Sequence, residues 1–596
     1  MKKFGAFILA LLMLVAAFAG CGANKDSKEN IKDGYGGVFR DYVTISPATL
    51  NTHINTDATT INAALSMVLY KDYLNEEGTG FTRGCMLAAD LPKQMDEEGR
   101  VWQIPIRQDC YWADYGPTKG KNAQITADTV VYSFKMCLDP DLMNPKASML
   151  TNMSVMQIEK AYDYQQQYST GVMVDWEEVG LKKIDDFTVQ VTTEKPCTQD
   201  AIMVGMGGYA WGYMIYEPLF EECMSDDRSY TTYGTSIDTY ACAGEYMLSE
   251  WYPDGKITVI KNPDYVRADE IYLDAIEYHV VPDTNTALEL FEAGQLDRVD
   301  LLFQHWESYE EDPRVYDYYK HSVCYVFVNN GNPNFNNLLG NLNFRKAMYY
   351  GLDRVEFAQL LNGNPNTRIV NRATVADPKT GKSFLELPCD WADDPTTVYD
   401  LNKASEFLTK AYEETGVNKA DFSCVYTETA THTRASVEVF TRQINDNLKG
   451  ITVSARSIPS NVAYKMRRWN PEDPDAYDLT LGANAPSFDS CLYTMDAFDP
   501  YALQINFYWD SMPDARDRYA DLCARAKEAL SMGDNDTVNT LCLEMEKIIV
   551  KELYIRIPIY EIGNKRMYSE RVQLPVEQFV NAYGFGEYYA KIVETN

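Results

Sequence analysis

The chain predicts a mixed α and β protein of several domains, on three observations. Strand-like alternation and helix-like spacing interleave from one end to the other. No fixed-period repeat is present, which argues against a solenoid or propeller. The 596 residues also exceed what one core holds, at roughly 150 residues per domain.

The first element is a leader. Lys2 and Lys3 precede an apolar run from Phe4 to Phe18, and Ala19 and Gly20 follow, which is the charged, apolar, small-residue order of a secretory signal. The run is short of the roughly 20 apolar residues of a spanning helix. Phe18-Ala19-Gly20-Cys21 resembles a bacterial lipobox, whose first position is usually Leu, and the resemblance implies acylation of Cys21 and an anchor in the membrane. Residues 21–33 are then a solvated tether and 1–20 the signal peptide.

The next elements alternate in type. "YGGVFRDYVTISPATLNTHIN" reads as a short strand entering a loop at Pro47. In "GRVWQIPIRQDCYWAD", Trp102, Ile104 and Ile106 share one face, and Pro105 pushes that strand toward a sheet edge. "ITADTVVYSFKMCLDP" is a helix capped by Thr126, with Ala127, Val130, Phe134 and Leu138 at helical spacing until Pro140 stops it. "DFTVQVTTEKP", "KITVIKNPDY" and "AIEYHVV" are strands, and "TALELFEAGQLD" is a helix closed by Gly294.

A second region opens near Leu301. "VCYVFVNNGNP" is a strand, and "FRKAMYYGLDRVEFAQLL" predicts one amphipathic helix presenting Phe344, Ala347, Met348 and Leu352. "YDLNKASEFLTKAYEETG" is a helix between Asp400 and Gly416. "FSCVYTE" and "ITVSARSI" are strands around a helix over 437–448. Two helices, over 519–530 and 541–549, lead to the buried strand "YIRIPIY".

Composition narrows function. The 54 basic and 87 acidic side chains leave a net charge of −33, which repels phosphate backbones and anionic lipid, so no nucleic acid is expected as a partner. Beyond Cys21 the other cysteines form no CxxC pair, and their redox state stays open. Gly381-Lys382-Ser383 matches the end of a phosphate-binding loop, but Ala376 stands where the first glycine belongs and Pro388 stops a following helix. His53, His279, His305, His321 and His432 stand too far apart in sequence to show metal-ligand spacing, and no GxSxG or HExxH occurs. No cofactor, metal site or enzymatic activity is expected.

Taken in order, "FRDYVTISPATLNTH", "LAADLPKQMDEEGRVWQIPIRQDCYWAD", "ITADTVVYS", "GEYMLSEWYPDGKITVIKNPDYV", "FEAGQLD" and "FRKAMYYGLDR" resemble the extracytoplasmic solute-binding proteins of ABC importers, in the oligopeptide and dipeptide family. The resemblance implies a two-lobed clamp with an extra domain. Lobe I would comprise 34–71, 196–301 and 552–596, the extra domain 72–195, and lobe II 302–551. It implies a monomer that captures a small solute, an oligopeptide, in the cleft and passes it to ABC permease subunits. A non-peptide solute (an oligosaccharide or a metal chelate), a surface sensor and a secreted hydrolase are the alternatives.

The resemblance also marks a site. Family members hold the peptide's amino terminus with the aspartate of a "GW--D" motif, and here the stretch is "LGANAPSFDSCLYTMDAFDP". Ala483 replaces the tryptophan and Pro486 the aspartate, while Asp489 follows three residues later, as a substitute anchor or as a turn residue. Asn484, Phe488 and Asp489 are the candidate contacts of this stretch. Ser148 in "NPKASML", Arg372, and Tyr508 and Trp509 in "INFYWDS" fall near cavity-lining positions of the family, the two aromatics reading as core ahead of pocket.

Overall fold

The computed structural model describes residues 35–593, apart from 55–58, 143, 145, 152–155, 208–213, 362, 378–379, 428–430, 459–476, 485–489, 501–507 and 581–582. Three larger sheets organise it. The first runs, in spatial order, Val38–Val43, Ala275–Val280, Lys256–Lys261, Tyr246–Trp251. Its opening pair is parallel and the others are antiparallel. The second runs Lys93–Gln94, Val101–Pro105, Thr188–Thr192, Leu181–Asp185, all antiparallel. Its inward residues are the expected alternating ones, Trp102 and Ile104 facing the core with Val189 and Val191.

Pro105 departs from its expected edge position, since Val101–Pro105 is second in its sheet. The neighbouring Lys93–Gln94 covers only Gln103 and Trp102, so Pro105 lies past its end and no ladder hydrogen bond is lost there. The helix Ala127–Leu138 forms as predicted. Thr126 is extended, its N–H donates to Thr129 Oγ1 at 3.3 Å, and Val130, Phe134 and Leu138 are buried.

The third sheet has seven strands, in the order Arg298–Leu301, Arg556–Tyr568, Val315–Val328, Leu479–Asn484, Ala420–Thr427, Ile451–Ile458, with Gly363–Pro365 also paired to Arg556–Tyr568. Ala420–Thr427 and Ile451–Ile458 are parallel neighbours joined through the helix Thr431–Asn447, a βαβ crossover. The one helix expected over 344–361 is two, Leu342–Gly351 and Arg354–Leu361. Leu352 takes an extended conformation, and Asp353 Oδ1 then caps the second helix by accepting from Val355 N and Glu356 N at 3.0 and 3.1 Å.

Two large hydrophobic cores stand out among the described residues, beside two smaller clusters, one of which holds Val299, Leu301 and Met567. The first gathers Phe39, Tyr246 and Ile276 with Trp102, Phe134 and Val191, so the first two sheets share it, and Phe585 and Ile592 of the tail complete it. The second gathers Val326, Phe344, Phe440, Leu481 and Ile549. The strands Val315–Val328 and Arg556–Tyr568, antiparallel partners, run from one to the other. Tyr554, Ile557 and Tyr560 belong to the second core and Tyr568 to the first. The chain therefore returns to the first core within Arg556–Tyr568, several residues after 551.

Candidate functional site

The passage between the cores is where the long ladder becomes irregular. Tyr319 pairs with Gly563 and Val323 with Glu561, so four steps on one strand face two on the other. On the first-core side, Arg566 is pinned by Asp300 at 2.8 Å and Glu587 at 2.8 Å. On the second-core side, the first regular row reads Asn484, Val323, Glu561, Asn364 across four strands. Val323 and Glu561 of this row are buried where the ladder passes from one core toward the other.

The loop 366–372 is fixed by two buried carboxylates, Glu561 of this row and Glu546 of the helix Asn535–Lys547. Glu546 accepts Arg368 Nε at 2.7 Å, Ile369 N at 2.8 Å and Val370 N at 3.2 Å, with Arg368 Nη2 2.6 Å from its Oε2. The Arg368 guanidinium also lies over the rings of Trp391 and Phe384 at 5.1 and 5.5 Å. Glu561 accepts Arg372 N at 2.6 Å, and Arg372 Nε stands 3.7 Å from its other oxygen. Burial raises the Glu561 carboxyl above its ordinary range against the lowering effect of Arg372.

The structure sorts the expected site residues. Arg372 is beside the row, with its side chain 48% exposed. Asn484 ends its strand in the row itself. Tyr508 is half-buried, and its backbone is clasped by the Asn330 amide, which accepts from Tyr508 N at 2.9 Å and donates to Tyr508 O at 2.8 Å. Trp509 is 4% exposed, with its indole N–H donating to Phe498 O at 3.2 Å and its ring 5.3 Å from Tyr519, so the second core takes it up. Ser148 lies in the short helix Ala147–Thr151, whose preceding residue Lys146 donates its backbone N–H to His53 O. Cys21, Phe488 and Asp489, with Pro486, fall outside the described residues.

Glu561 and Glu546 were not singled out from sequence, although "RIPIYEIGN" carries a readable signal, a carboxylate inside a run of apolar strand residues. Among the described residues Asp496, Asp499 and Cys523 come close enough to hold a metal ion, but Lys527 Nζ sits 2.5 Å from Asp496 and 2.9 Å from Asp499 and neutralises the carboxylates.

Residues 86–501 match the model of the bacterial extracellular solute-binding proteins, family 5. The chain belongs to that family. Relatives include the oligopeptide-binding protein OppA of Bacillus subtilis, 23% identical over 69% of this chain and 68% of that one. The dipeptide-binding protein DppE of the same organism is 23% identical over 80% and 79%. Among solved structures, the substrate-binding domain of an oligopeptide ABC transporter from Bacillus anthracis superposes with a TM-score of 0.68, 20% identity and coverage of 94% and 99%. Listeria monocytogenes OppA bound to peptide gives 0.67, 19%, 94% and 99%. The fold is thus the two-lobed clamp of periplasmic binding proteins, in the mixed α and β class expected. Among the described residues no helix is long and apolar enough to cross a membrane.

Proposed function

We propose that this family member is the substrate-binding subunit of an ABC importer, which closes its two lobes on an oligopeptide and hands it to the permease. The observation that carries this reading is the Asn484–Glu561 row, set at the passage where two strands join two separate cores. A sheet end flanked by a loop and a hinge suits an extended backbone, which pairs by hydrogen bonds and leaves its side chains to tolerant pockets. The relatives named for oligopeptides and dipeptides support the ligand class. On this reading lobe I comprises the first sheet and the tail, the extra domain the second sheet, and lobe II the second core. Cys21 is the lipid anchor that keeps a monomer at the extracytoplasmic face of the membrane.

Native mass spectrometry of the leaderless protein, starting at Gly22, tests the ligand. A ladder of peptide masses released intact on denaturation is the expected result. One discrete sugar or chelate mass overturns the peptide assignment, and cleaved products point to a hydrolase. Labelling with radioactive palmitate tests the anchor, with Cys21→Ser expected to abolish incorporation.

A further inference from the structure

Two turns, one from the body of each large core, meet backbone to backbone. The first joins the strands Tyr70–Leu74 and Phe81–Cys85, with Tyr70 in the first core and Leu74 and Cys85 packed against it. The second leads into Lys382–Ser383, the partner of Val375–Asp377, and here Ala376 and Phe384 belong to the second core. In the second turn Gly381 has a φ of +69°, the region that favours glycine, and it lies against the first turn. A Cβ at Gly381 would overlap the Thr79 carbonyl oxygen, and would stand 3.0 Å from the Thr79 carbonyl carbon and 3.3 Å from Gly80 Cα. The two backbones leave no room for a side chain at this position.

Both turns are braced for this approach. Buried Asn75 accepts from Thr79 N at 3.0 Å and from Gly80 N at 3.2 Å through its Oδ1, and its own N–H donates to Gly80 O at 3.0 Å. On the other side Thr380 Oγ1 donates to Asp377 Oδ2 at 2.8 Å, and Asn539 Nδ2 donates to Ala376 O at 3.0 Å. Ser383 Oγ donates to Arg372 O at 2.6 Å, and Arg372 N to Glu561, so the second turn is carried by an arm that starts at the Asn484–Glu561 row. Gly381 stands two residues, roughly 7 Å at strand spacing, from Ser383. The tips also differ in charge: Glu76 and Glu77 are exposed in the first turn, and Lys382 is exposed next to Gly381 in the second. Opposite charges on approaching surfaces steer them together.

The two bodies are thus joined in two different ways. The ladder of Val315–Val328 and Arg556–Tyr568 is continuous chain and persists at any angle between them, whereas the meeting of the turns is a nonbonded contact that exists only when they are close. Resting on the clamp reading above, we infer that Gly381 against Thr79 and Gly80 is the latch of the closed clamp, and that a bare backbone at 381 is what lets closure go to completion. Gly381 is a positioning residue: it acts on the retention of the ligand through the closed arrangement. The Gly381-Lys382-Ser383 sequence, which matches the end of a phosphate-binding loop, then has a role that involves no phosphate.

Gly381→Asn tests this, because asparagine tolerates a left-handed backbone yet puts a side chain where Thr79 stands. Gly416→Asn is the control, at a φ of +71° with nothing within 4 Å of its Cβ position. Each protein, from Gly22 onward, is stripped of ligand and saturated with a pool of random pentapeptides. Small-angle X-ray scattering reads the radius of gyration, and native mass spectrometry reads binding and then release after dilution. The wild type and Gly416→Asn are expected to contract and to release slowly. Gly381→Asn is expected to stay near its ligand-free radius and to release peptide about tenfold faster or more, with association changed by less than about twofold. If Gly381→Asn does not fold, reversal of both charges on the other turn, Glu76→Lys with Glu77→Lys, decides: release faster than wild type at low salt, and equal to it at high salt, is expected. Contraction and release in Gly381→Asn equal to those of the wild type, or unchanged release at low salt in the charge reversal, overturn the latch and leave the peptide reading standing. A wild type that binds the pool without contracting overturns the clamp and the latch together, and one that binds no peptide overturns the peptide reading and the latch with it.

Discussion

Buried charge is costly unless it is paired, and Glu546 and His53 show the two outcomes. Glu546 is fully buried and closes on Arg368, so removing it leaves a guanidinium stranded in the second core. Glu546→Ala is expected to cost about 3–5 kcal/mol in urea unfolding, the range for breaking a buried pair from one side. His53 is equally buried but has no hydrogen-bond partner among the described residues at either ring nitrogen, and desolvation pushes its pKa down to about 4. Its ordinary value of 6.5 governs the unfolded chain. Between those two values the unfolded state takes up a proton that the fold refuses, so stability is lost as pH falls through that window. By pH 4 the loss from this one group is about 3 kcal/mol. The difference in stability between His53→Phe and the wild type should shift by about that amount, in favour of the variant, between pH 7.5 and pH 4. A constant difference would show that the ring is solvated.

At the level of elements, caps and breaks decide where helices begin. Asp353 restarts a helix that the apolar pattern alone would have continued, and Asp353→Ala is expected to lower stability by about 1 kcal/mol. The equivalent loss at Asp400, whose Oδ1 accepts from Asn402 N and Lys403 N, should be similar by urea midpoint. Most of the strands and the Thr126 and Asp400 helices were legible because their signals are local, alternation or a cap beside a helical run. Pro105 misled because whether a strand is an edge depends on the length of its neighbour, which its own residues do not encode. The site was less legible still. Its row unites positions 323, 364, 484 and 561, and nothing local connects partners 161, 197 and 238 residues apart until the ladder is formed. Trp509 reads from sequence as core ahead of pocket, and its packing with Tyr519 and Phe498 places it in the second core.

For the whole molecule, the proposed clamp makes the two large cores with their shared ladder its moving part. Each core is internally anchored up to the passage, by Arg566 with Asp300 and Glu587 on one side and by Glu561 with the Arg372 backbone on the other. If the lobes close, bending is expected in the few irregular steps between Tyr319 and Val323. A ligand that contacts both lobes is favoured by the closed arrangement alone, and it shifts the population by its differential affinity. The most direct measurement is small-angle X-ray scattering of the protein from Gly22 onward, stripped of ligand and then saturated with the proposed peptides. The account predicts a smaller radius of gyration with peptide, and no such change when a pool that does not bind is added. An unchanged radius at saturation would contradict a clamp that closes on its solute.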